Sequence, residues 1–288
     1  MVTHWTSPPK RLVLLLLFFC FPASARGVEF IVTPASLVQG EPAMITLKDV
    51  SVSDIRTASF DGKRAALFLY RGKPTAIVGI DISASSGKHR FSVTLADGRT
   101  LQEAITVTPR RKLTAPFTIP EKLGGNTKAA QDALVKTLVK ENAAFAMVNA
   151  TPLPFWSETF DFPVASPVVT DAFGYLRETG HYSIPHKGTD FHADIGTPIY
   201  AINAGVVRLV RAFTVYGKTI AIDHGGGVVS LSLHLSKIAV KEGQKVKKGE
   251  LIGFSGESGY ALSPHLHLSV RVGGVSVDPM KFFTLFRQ

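Results

Sequence analysis

Two short motifs that lie far apart in the chain place the strongest constraint on its fold, because their side chains are of the types that bind one metal ion together. The first is His186-Lys-Gly-Thr-Asp190 and the second is Ser263-Pro-His265-Leu-His267. Zinc binds imidazole nitrogen and carboxylate oxygen, and a hydrolytic zinc site has three protein ligands and one position for water. The two motifs supply three histidines and one aspartate. The sequence therefore predicts a fold that brings two distant segments around one zinc ion.

The spacing within each motif indicates its local structure. Residues i and i+2 of a strand project to the same face, so His265 and His267 are predicted to point the same way. On a straight strand His186 and Asp190 would lie roughly 13 Å apart, too far to share an ion, and Gly188 between them disfavours a helix. We therefore expect the backbone to bend between them, with Gly188 as the residue that permits the bend.

Residues 1–25 have the pattern of a secretory signal peptide. Lys10 and Arg11 form a basic region, residues 12–21 form an apolar run, and small residues at 23–25 form a cleavage site. The apolar run is too short for a lasting bilayer anchor. The pattern predicts cleavage after Ala25 and export, with no stable membrane anchor.

The only cysteine, Cys20, lies inside that segment. Because aromatic residues rather than small ones precede it, we expect no lipid attachment there. The predicted mature chain then has no thiol, which excludes disulfides, a cysteine-ligated zinc site and a thiol protease.

The chain is basic, with a formal net charge of +10, and 45% of its residues are hydrophobic, which is ample for a packed core. A nucleic-acid partner is not predicted, since the basic residues are scattered and no aromatic-basic platform accompanies them. An exported basic protein fits an anionic polymer such as a cell wall, or a membrane surface. Solubilising surface charge is the alternative, and charge alone does not decide between them.

Residues 26–110 are predicted to form a small antiparallel β-sandwich, similar to an immunoglobulin domain. Short runs rich in β-forming residues alternate with turn signals such as Asp61-Gly62 and Asp97-Gly98. The histidine of this region, His89, stands beside a turn between two basic residues and is expected to be a solvated loop residue. No catalytic constellation occurs here, so we expect a positional or binding role.

Residues 111–160 are predicted to form a linker with one helix over 127–149 and Asn126 as its N-cap. The apolar stripe of this helix is most simply a packing face. A sharper hypothesis is that the arm, together with Pro152, Pro154 and Trp156, lies across the active-site groove and restrains it, because it directly precedes the catalytic region.

Residues 161–288 are predicted to form a β-rich catalytic region that contains most of the histidines. In 229–234 the serines and His234 alternate with apolar residues, and in 265–269 the histidines and Ser269 alternate with leucines. The period of two predicts strands with one apolar face and one histidine-bearing face, and two such strands form a groove.

The ordered motifs resemble the LytM or lysostaphin-type zinc endopeptidase family over roughly residues 170–282. The matching motifs are His-x-Gly-x-Asp at 186–190, Gly-Thr-Pro at 196–198, His-Leu-Ser at 234–236, Val-Lys-Lys-Gly-Glu-Leu-Ile-Gly at 246–253 and Pro-His-Leu-His at 264–267. The resemblance implies a curved antiparallel β-sheet with a groove. It also implies that the zinc ligands are His186, Asp190 and His267, and that His265 and His234 flank the reacting water.

The activity that the resemblance implies is hydrolysis of peptide crosslinks in peptidoglycan, in the periplasm or outside the cell, with peptide stems as the partner. His265 is the candidate general base, and His234 the candidate partner of the oxyanion or of the leaving amine. The sequence does not assign these two roles with respect to each other. A carbohydrate hydrolase is a third alternative, but it would need paired carboxylates near the cleft motifs.

Two further positions bear on substrate. Arg177 either binds a substrate carboxylate as a bidentate donor or pairs with an acidic neighbour. Ser232 stands where family members commonly carry tyrosine, so it is a candidate substrate-contact position. Because some family members are degenerate activators of other wall enzymes, an inactive wall-binding module is the second hypothesis.

Three other histidines have weaker claims. His192 is expected at the rim of the groove, and His224, which precedes three glycines, is expected in a turn. His181 matches no motif.

Overall fold

The computed structural model describes Met1 and residues 27–287, so Cys20 and the predicted signal-peptide motifs lie outside the described residues. The described chain is mainly β, as predicted. None of its helices is both long enough and apolar enough to cross a bilayer.

The N-terminal region is the predicted sandwich of two sheets. Its sheets have the strand orders β1-β3-β7-β6 and β2-β9-β8-β4-β5. Strand β8 shows why the sheets pack: Phe91, Val93 and Leu95 are buried between them while Lys88 and Arg90 are exposed. The strands are β1 (Glu29–Thr33), β2 (Leu37–Val38), β3 (Pro42–Lys48), β4 (Ile55–Phe60), β5 (Lys63–Ala65), β6 (Leu67–Tyr70), β7 (Lys73–Gly79), β8 (Gly87–Leu95) and β9 (Thr100–Thr108).

His89 is not the solvated loop residue that the sequence predicted. It lies in β8 and is buried, with Nδ1 2.6 Å from Asp61 Oδ2 and Nε2 2.8 Å from the carbonyl oxygen of Ser85. Its ring stacks on Phe60. Because its position in β8 has the same parity as Phe91, the strand directs the ring inward, and the polar partners satisfy both nitrogens.

The C-terminal region is built on one large antiparallel sheet of order β11-β14-β22-β18-β17-β16-β20, with β23 paired to β22. Helix α2 (Pro279–Leu285) follows it, capped by Asp278. The strands are β11 (Val169–Asp171), β12 (Leu176–Thr179), β13 (Tyr182–Pro185), β14 (Thr189–His192), β15 (Pro198–Tyr200), β16 (Gly205–Phe213), β17 (Gly217–Gly225), β18 (Val228–Leu235), β19 (Lys237–Ile238), β20 (Lys245–Val246), β21 (Leu251–Phe254), β22 (His265–Val272) and β23 (Val275–Val277).

The segment between the two regions is more ordered than a linker. Strand β10 (Thr114–Pro116) pairs in parallel with β12, so the segment contributes a strand to the C-terminal region. Helix α1 (Lys128–Ala146) follows, and its N-cap is Thr127, whose hydroxyl accepts a hydrogen bond from the Ala130 amide. The predicted cap, Asn126, instead accepts a hydrogen bond from the Ile119 amide. Asn126 therefore fixes the chain before the helix.

Trp156 packs at the junction of the two regions and not over a groove. Its ring centroid lies 5.6 Å from that of Phe68 in β6 and 5.2 Å from that of Phe286, just past α2. The same apolar cluster includes Met44 and Ile77 of the sandwich. The part of the arm hypothesis that involves Trp156 is therefore wrong, because this large apolar side chain is buried in the shared core.

Candidate metal centre

His186, Asp190 and His267 converge. His267 Nδ1 lies 2.7 Å from Asp190 Oδ1, and His186 Nε2 lies 3.1 Å from the same oxygen and 3.0 Å from His267 Nδ1. All three residues are buried. Their possible ligand atoms lie within 4.8 Å of one another, which is close enough to share an ion.

The strand ladder sets this geometry. Asp190 in β14 stands directly opposite His267 in β22, and opposed residues of an antiparallel pair share a face. His186 follows the end of β13, and its amide donates to the carbonyl oxygen of Tyr175 at 2.7 Å. The turn from β13 into β14 then returns His186 to the same side.

Gly188 serves this turn for a different reason from the one predicted. Its φ does not lie in the left-handed region, so no special backbone freedom is needed. Instead, a Cβ built at this position would collide with the His267 imidazole and lie 2.6 Å from the carbonyl oxygen of Leu268. A glycine is required because the ring of His267 occupies the space that a side chain would take.

The hydrogen-bond partners of the three side chains indicate that the cluster suits a cation. The carbonyl oxygen of Ala172 can only accept, so His186 Nδ1 donates to it at 2.9 Å and Nε2 of the neutral ring is an acceptor. Ionised Asp190 Oδ1 is an acceptor as well, and His267 Nδ1 can donate its proton to only one of the two. His186 Nε2 and Asp190 Oδ1 are therefore two acceptors that face each other at 3.1 Å. Together with His267 they offer two imidazole nitrogens and one carboxylate oxygen, which are ligand types that zinc binds.

Two more imidazoles face this cluster. His265 Nδ1 lies 2.8 Å from the carbonyl oxygen of Ser263, and His234 Nδ1 lies 2.8 Å from that of Ser258. Both rings therefore carry their proton on Nδ1 and keep Nε2 as an acceptor. The two ring centroids are 4.9 Å apart, and His265 Nε2 is 3.8 Å from Asp190 Oδ1.

His234 reaches this position through a β-bulge. Lys218 pairs with Leu235 and Ile220 with Ser232, so β18 has one residue more than β17 in this interval. His234 itself has a φ of 61°, a left-handed conformation that is uncommon for a residue with a side chain. Bulges redirect side chains next to active sites, and this one turns His234 toward the ring of His265.

The bulge also corrects the predicted faces of β18. Ser232 stands opposite Leu268, whereas Leu233 stands opposite His267. Ser232 is buried on the core face and does not line the cleft, contrary to the prediction that it contacts substrate. The predicted alternation counted back from His234, and the extra residue inverts that count. In β22 the predicted alternation holds, with Leu266 and Leu268 in the core.

Arg177 takes the second of its two predicted alternatives. Its Nη2 lies 2.6 Å from Asp171 Oδ2 and 2.6 Å from Asp190 Oδ2. Asp171 stands opposite Asp190 across the β11–β14 pair. No sequence motif singles out Asp171, and only its place in a short strand next to the metal-ligand segment could have indicated it.

Burial and charge shift the pKa values of this cluster. Burial alone raises the pKa of Asp190, but the adjacent His267 and His186 outweigh it and hold that pKa well below its usual range. Burial lowers the pKa of His267 to about 4. Burial, followed by the neighbouring His265 and His267, lowers the pKa of His234 to about 3. The rings of His234 and His267 are therefore neutral at physiological pH, and neutral imidazole is the form that binds a metal.

The remaining histidines lie outside the cluster. His192 stands opposite His265 at the exposed end of β14, a rim position as expected, and His181 is exposed. His224 is buried in β17 and not in a turn, with Nδ1 2.9 Å from the carbonyl oxygen of Ala204 and Nε2 2.8 Å from Ser230 Oγ. The three glycines that suggested a turn begin one residue later.

Helix α1 and the segment before it pack against both flanks of the cluster. Leu134 of the helix belongs to an apolar cluster that includes Val215 and contacts Ile184 and Tyr260. Ile184 precedes His186 by two residues, and the amide of Tyr260 donates to the carbonyl oxygen of Val215 at 2.8 Å. The arm therefore joins the strand before His186 to the loops that hold His234.

Comparison with known proteins places this region in a family. Residues 184–279 match the model of peptidase family M23. Peptidoglycan DD-endopeptidase ShyA of Vibrio cholerae is 47% identical over 97 residues, which are 34% of this chain and 23% of that protein. DD-carboxypeptidase/endopeptidase Mpg of Neisseria meningitidis is 36% identical over 119 residues, 41% of this chain and 27% of that protein. The matches thus span about a quarter of the length of these curated relatives.

A solved structure matches nearly the whole chain. The crystal structure of a candidate peptidase M23 from Pseudomonas aeruginosa is 30% identical and has a TM-score of 0.63, and the alignment covers 86% of this chain and 95% of that one. The shared fold therefore includes the N-terminal β region as well as the histidine-bearing sheet. The resemblance seen in the motifs is confirmed, and the chain belongs to peptidase family M23.

Proposed function

We propose that this chain is an exported zinc-dependent endopeptidase that hydrolyses peptide crosslinks of peptidoglycan. One observation carries the proposal: the possible ligand atoms of His186, Asp190 and His267 meet in a buried cluster, and the rings of His234 and His265 face that cluster. The lone pairs of His186 Nε2 and Asp190 Oδ1 repel each other at this buried position, and a divalent ion bound by both atoms relieves that repulsion.

His186, Asp190 and His267 would hold the zinc ion. When bound, zinc acts as a Lewis acid and lowers the pKa of a coordinated water toward neutrality. The protein fixes the ligands beforehand: the carbonyl oxygen of Ala172 holds the tautomer of His186, and Arg177 holds the second oxygen of Asp190.

The imidazoles of His265 and His234, which face the metal ligands, are the candidates for proton transfer. As bonded in the structure, His265 and His234 each present a bare Nε2, so either can take a proton from the attacking water. We assign this role to His265, which lies nearer to Asp190 and whose side chain is 16% exposed. The protonated ring can then donate to the leaving amine, and His234 orients the reacting groups.

The printed names of the relatives and the charge of the chain support the substrate. ShyA and Mpg act on DD bonds by name, so we propose crosslinks between D-amino acids. The formal net charge of the chain is +10, of which Lys10 and Arg11 of the predicted signal peptide supply two, and the remaining positive charge favours an anionic polymer. The signal-peptide pattern and the proposed wall substrate support action in the periplasm or at the cell surface.

Digestion of purified crosslinked wall peptides tests the proposal. The chain without residues 1–25 is incubated with the peptides, with and without a chelator, and the fragments are identified by mass. The proposal expects cleaved crosslinks that the chelator abolishes and added zinc restores. Stoichiometric zinc without cleavage would overturn the endopeptidase and favour the second hypothesis, a wall-binding module.

A further inference from the structure

The loop between β16 and β17 binds a carboxylate that belongs to the arm. The amides of Thr214, Val215 and Tyr216 all point at Glu141 of α1: Thr214 N lies 2.7 Å from Oε1, Val215 N lies 3.1 Å from Oε1 and 3.2 Å from Oε2, and Tyr216 N lies 3.1 Å from Oε2. Consecutive backbone amides that converge in this way form an anion-binding nest.

Glu141 is held by these amides and not by an opposite charge. It is 5% exposed, and within residues 27–287 no ion pair with lysine, arginine or histidine is found for it. A buried carboxylate without a cation is costly unless hydrogen bonds satisfy it, so the nest supplies the compensation. The loop is therefore built to accept a carboxylate.

The other side of the same loop adjoins the candidate site. The carbonyl oxygen of Tyr216 accepts a hydrogen bond from the His234 amide at 3.0 Å. The peptide groups of the loop thus direct their carbonyls toward the segments that hold His234 and their amides toward α1. Only this three-residue loop therefore separates the nest from the segment that holds His234.

We propose that the amides of residues 214–216 form a carboxylate-binding subsite of the peptidase and that Glu141 occupies it as an internal stand-in. The identity of the ligand, a carboxylate of a peptide substrate such as a free C-terminal one, rests on the proposed function. The ligand carboxylate replaces that of Glu141 at the same amides, and the middle of α1 then releases the loop.

The internal carboxylate competes with every external one. A tethered group has an effective concentration in the millimolar range or above, and the apparent affinity of a ligand falls by the fraction of molecules whose site is free. Loss of the Glu141 carboxylate is therefore expected to tighten carboxylate binding at least about tenfold.

Binding of two small probes to the isotope-labelled chain tests the proposal. The probes are N-acetyl-D-alanyl-D-alanine and its C-terminal amide, and the readout is the NMR shifts of the backbone amides. Wild type, Glu141→Ala and Glu141→Gln are compared, the last as an isosteric variant that preserves the packing of α1. Asp132→Asn is the matched control, because it removes a half-buried carboxylate from the same helix whose partners are Lys128 and Tyr182 and not the loop.

We expect the acid to bind both Glu141 variants at least about tenfold more tightly than wild type and Asp132→Asn, with the shifts centred on residues 214–216. The amide probe should bind wild type and all three variants with the same affinity. Equal binding of acid and amide, or shifts that avoid the loop in both folded Glu141 variants, would overturn the subsite. The readout needs neither zinc nor turnover, so the subsite can stand if wall digestion fails, and it can fail while digestion succeeds.

Discussion

Arg177 Nη2 lies 2.6 Å from Asp190 Oδ2, while Oδ1 of the same carboxylate faces His186 and His267. The guanidinium also pairs with Asp171 and lies over the ring of Phe117, 5.8 Å from its centroid. The two oxygens of Asp190 are thus separated in role: one is fixed by the arginine and the other is directed at the two imidazoles.

This division predicts a weaker metal site without the guanidinium. In Arg177→Gln the carboxylate of Asp190 can rotate away from the imidazoles, and loss of a partner that orients a metal ligand typically costs 10–100-fold in affinity. We expect zinc affinity to fall by about that factor. Competition with a fluorescent chelator measures it without any need for turnover.

Arg99→Gln is the matched control for this experiment, because Arg99 also pairs with an aspartate but is exposed on the sandwich. Its zinc affinity should equal that of wild type. Unchanged or tighter zinc binding in Arg177→Gln would contradict the prediction, because the repulsion between the arginine charge and the zinc ion would then equal or exceed the orienting effect.

The two histidines of β22 are predicted to separate metal binding from turnover. His267→Ala removes a proposed ligand, so the purified protein should lack stoichiometric zinc. His265→Ala leaves the three ligands in place, so zinc should remain while turnover of crosslinked peptides falls by about 10²–10⁴-fold, the usual contribution of a general base. Metal analysis and peptide digestion of the same preparations give both numbers.

His192→Ala serves as the control, since His192 stands opposite His265 at the rim but contributes no atom to the cluster. It should keep both zinc and turnover. If His265→Ala and His267→Ala both bind zinc stoichiometrically, the assignment of ligands is wrong.

The part of the site that follows a strict strand period could be predicted from the sequence. His265 and His267 share a face because β22 is regular and its leucines fill the core. The direction of Ser232 could not be predicted in the same way. It depends on an extra residue in β18 relative to β17, and such a bulge is a property of two paired strands, not of one sequence run.

The contacts of the arm, residues 111–160, could likewise be predicted only in part from the sequence. The existence of α1 follows from its apolar spacing, but the parallel pairing of β10 with β12 joins segments that are distant in sequence. The contact of Glu141 with residues 214–216 is equally nonlocal. A glutamate on a helix otherwise indicates only a solvated face, so no local pattern could identify it.

The close approach of Gly188 to the His267 ring predicts that a side chain at position 188 displaces this proposed metal ligand. In Gly188→Ala the new methyl group meets the His267 ring and the Leu268 carbonyl oxygen, so the ring has to move out of the cluster. We expect loss of zinc binding and a fall in the free energy of unfolding of about 1–3 kcal/mol. Gly27→Ala is the control, because a Cβ there meets nothing within 4 Å; zinc binding by Gly188→Ala at wild-type affinity would contradict the close approach.

His224 lies outside the metal site, and its burial predicts that the free energy of unfolding depends on pH. Burial lowers its pKa to about 4 from an ordinary value of 6.5. Between these values the unfolded chain takes up a proton that the folded chain refuses, so stability is complete above pH 6.5 and falls as the pH decreases toward 4.

At pH 5 the loss from this residue should be about 2 kcal/mol relative to pH 7. Urea unfolding of wild type and His224→Gln at both pH values measures it. The glutamine cannot titrate but can still bond to Ala204 and Ser230. Since His234 and His267 also take up protons on unfolding in both proteins, the difference between the two pH dependences isolates His224. Identical pH dependences would show that the ring is charged, or exposed to water, in the folded protein.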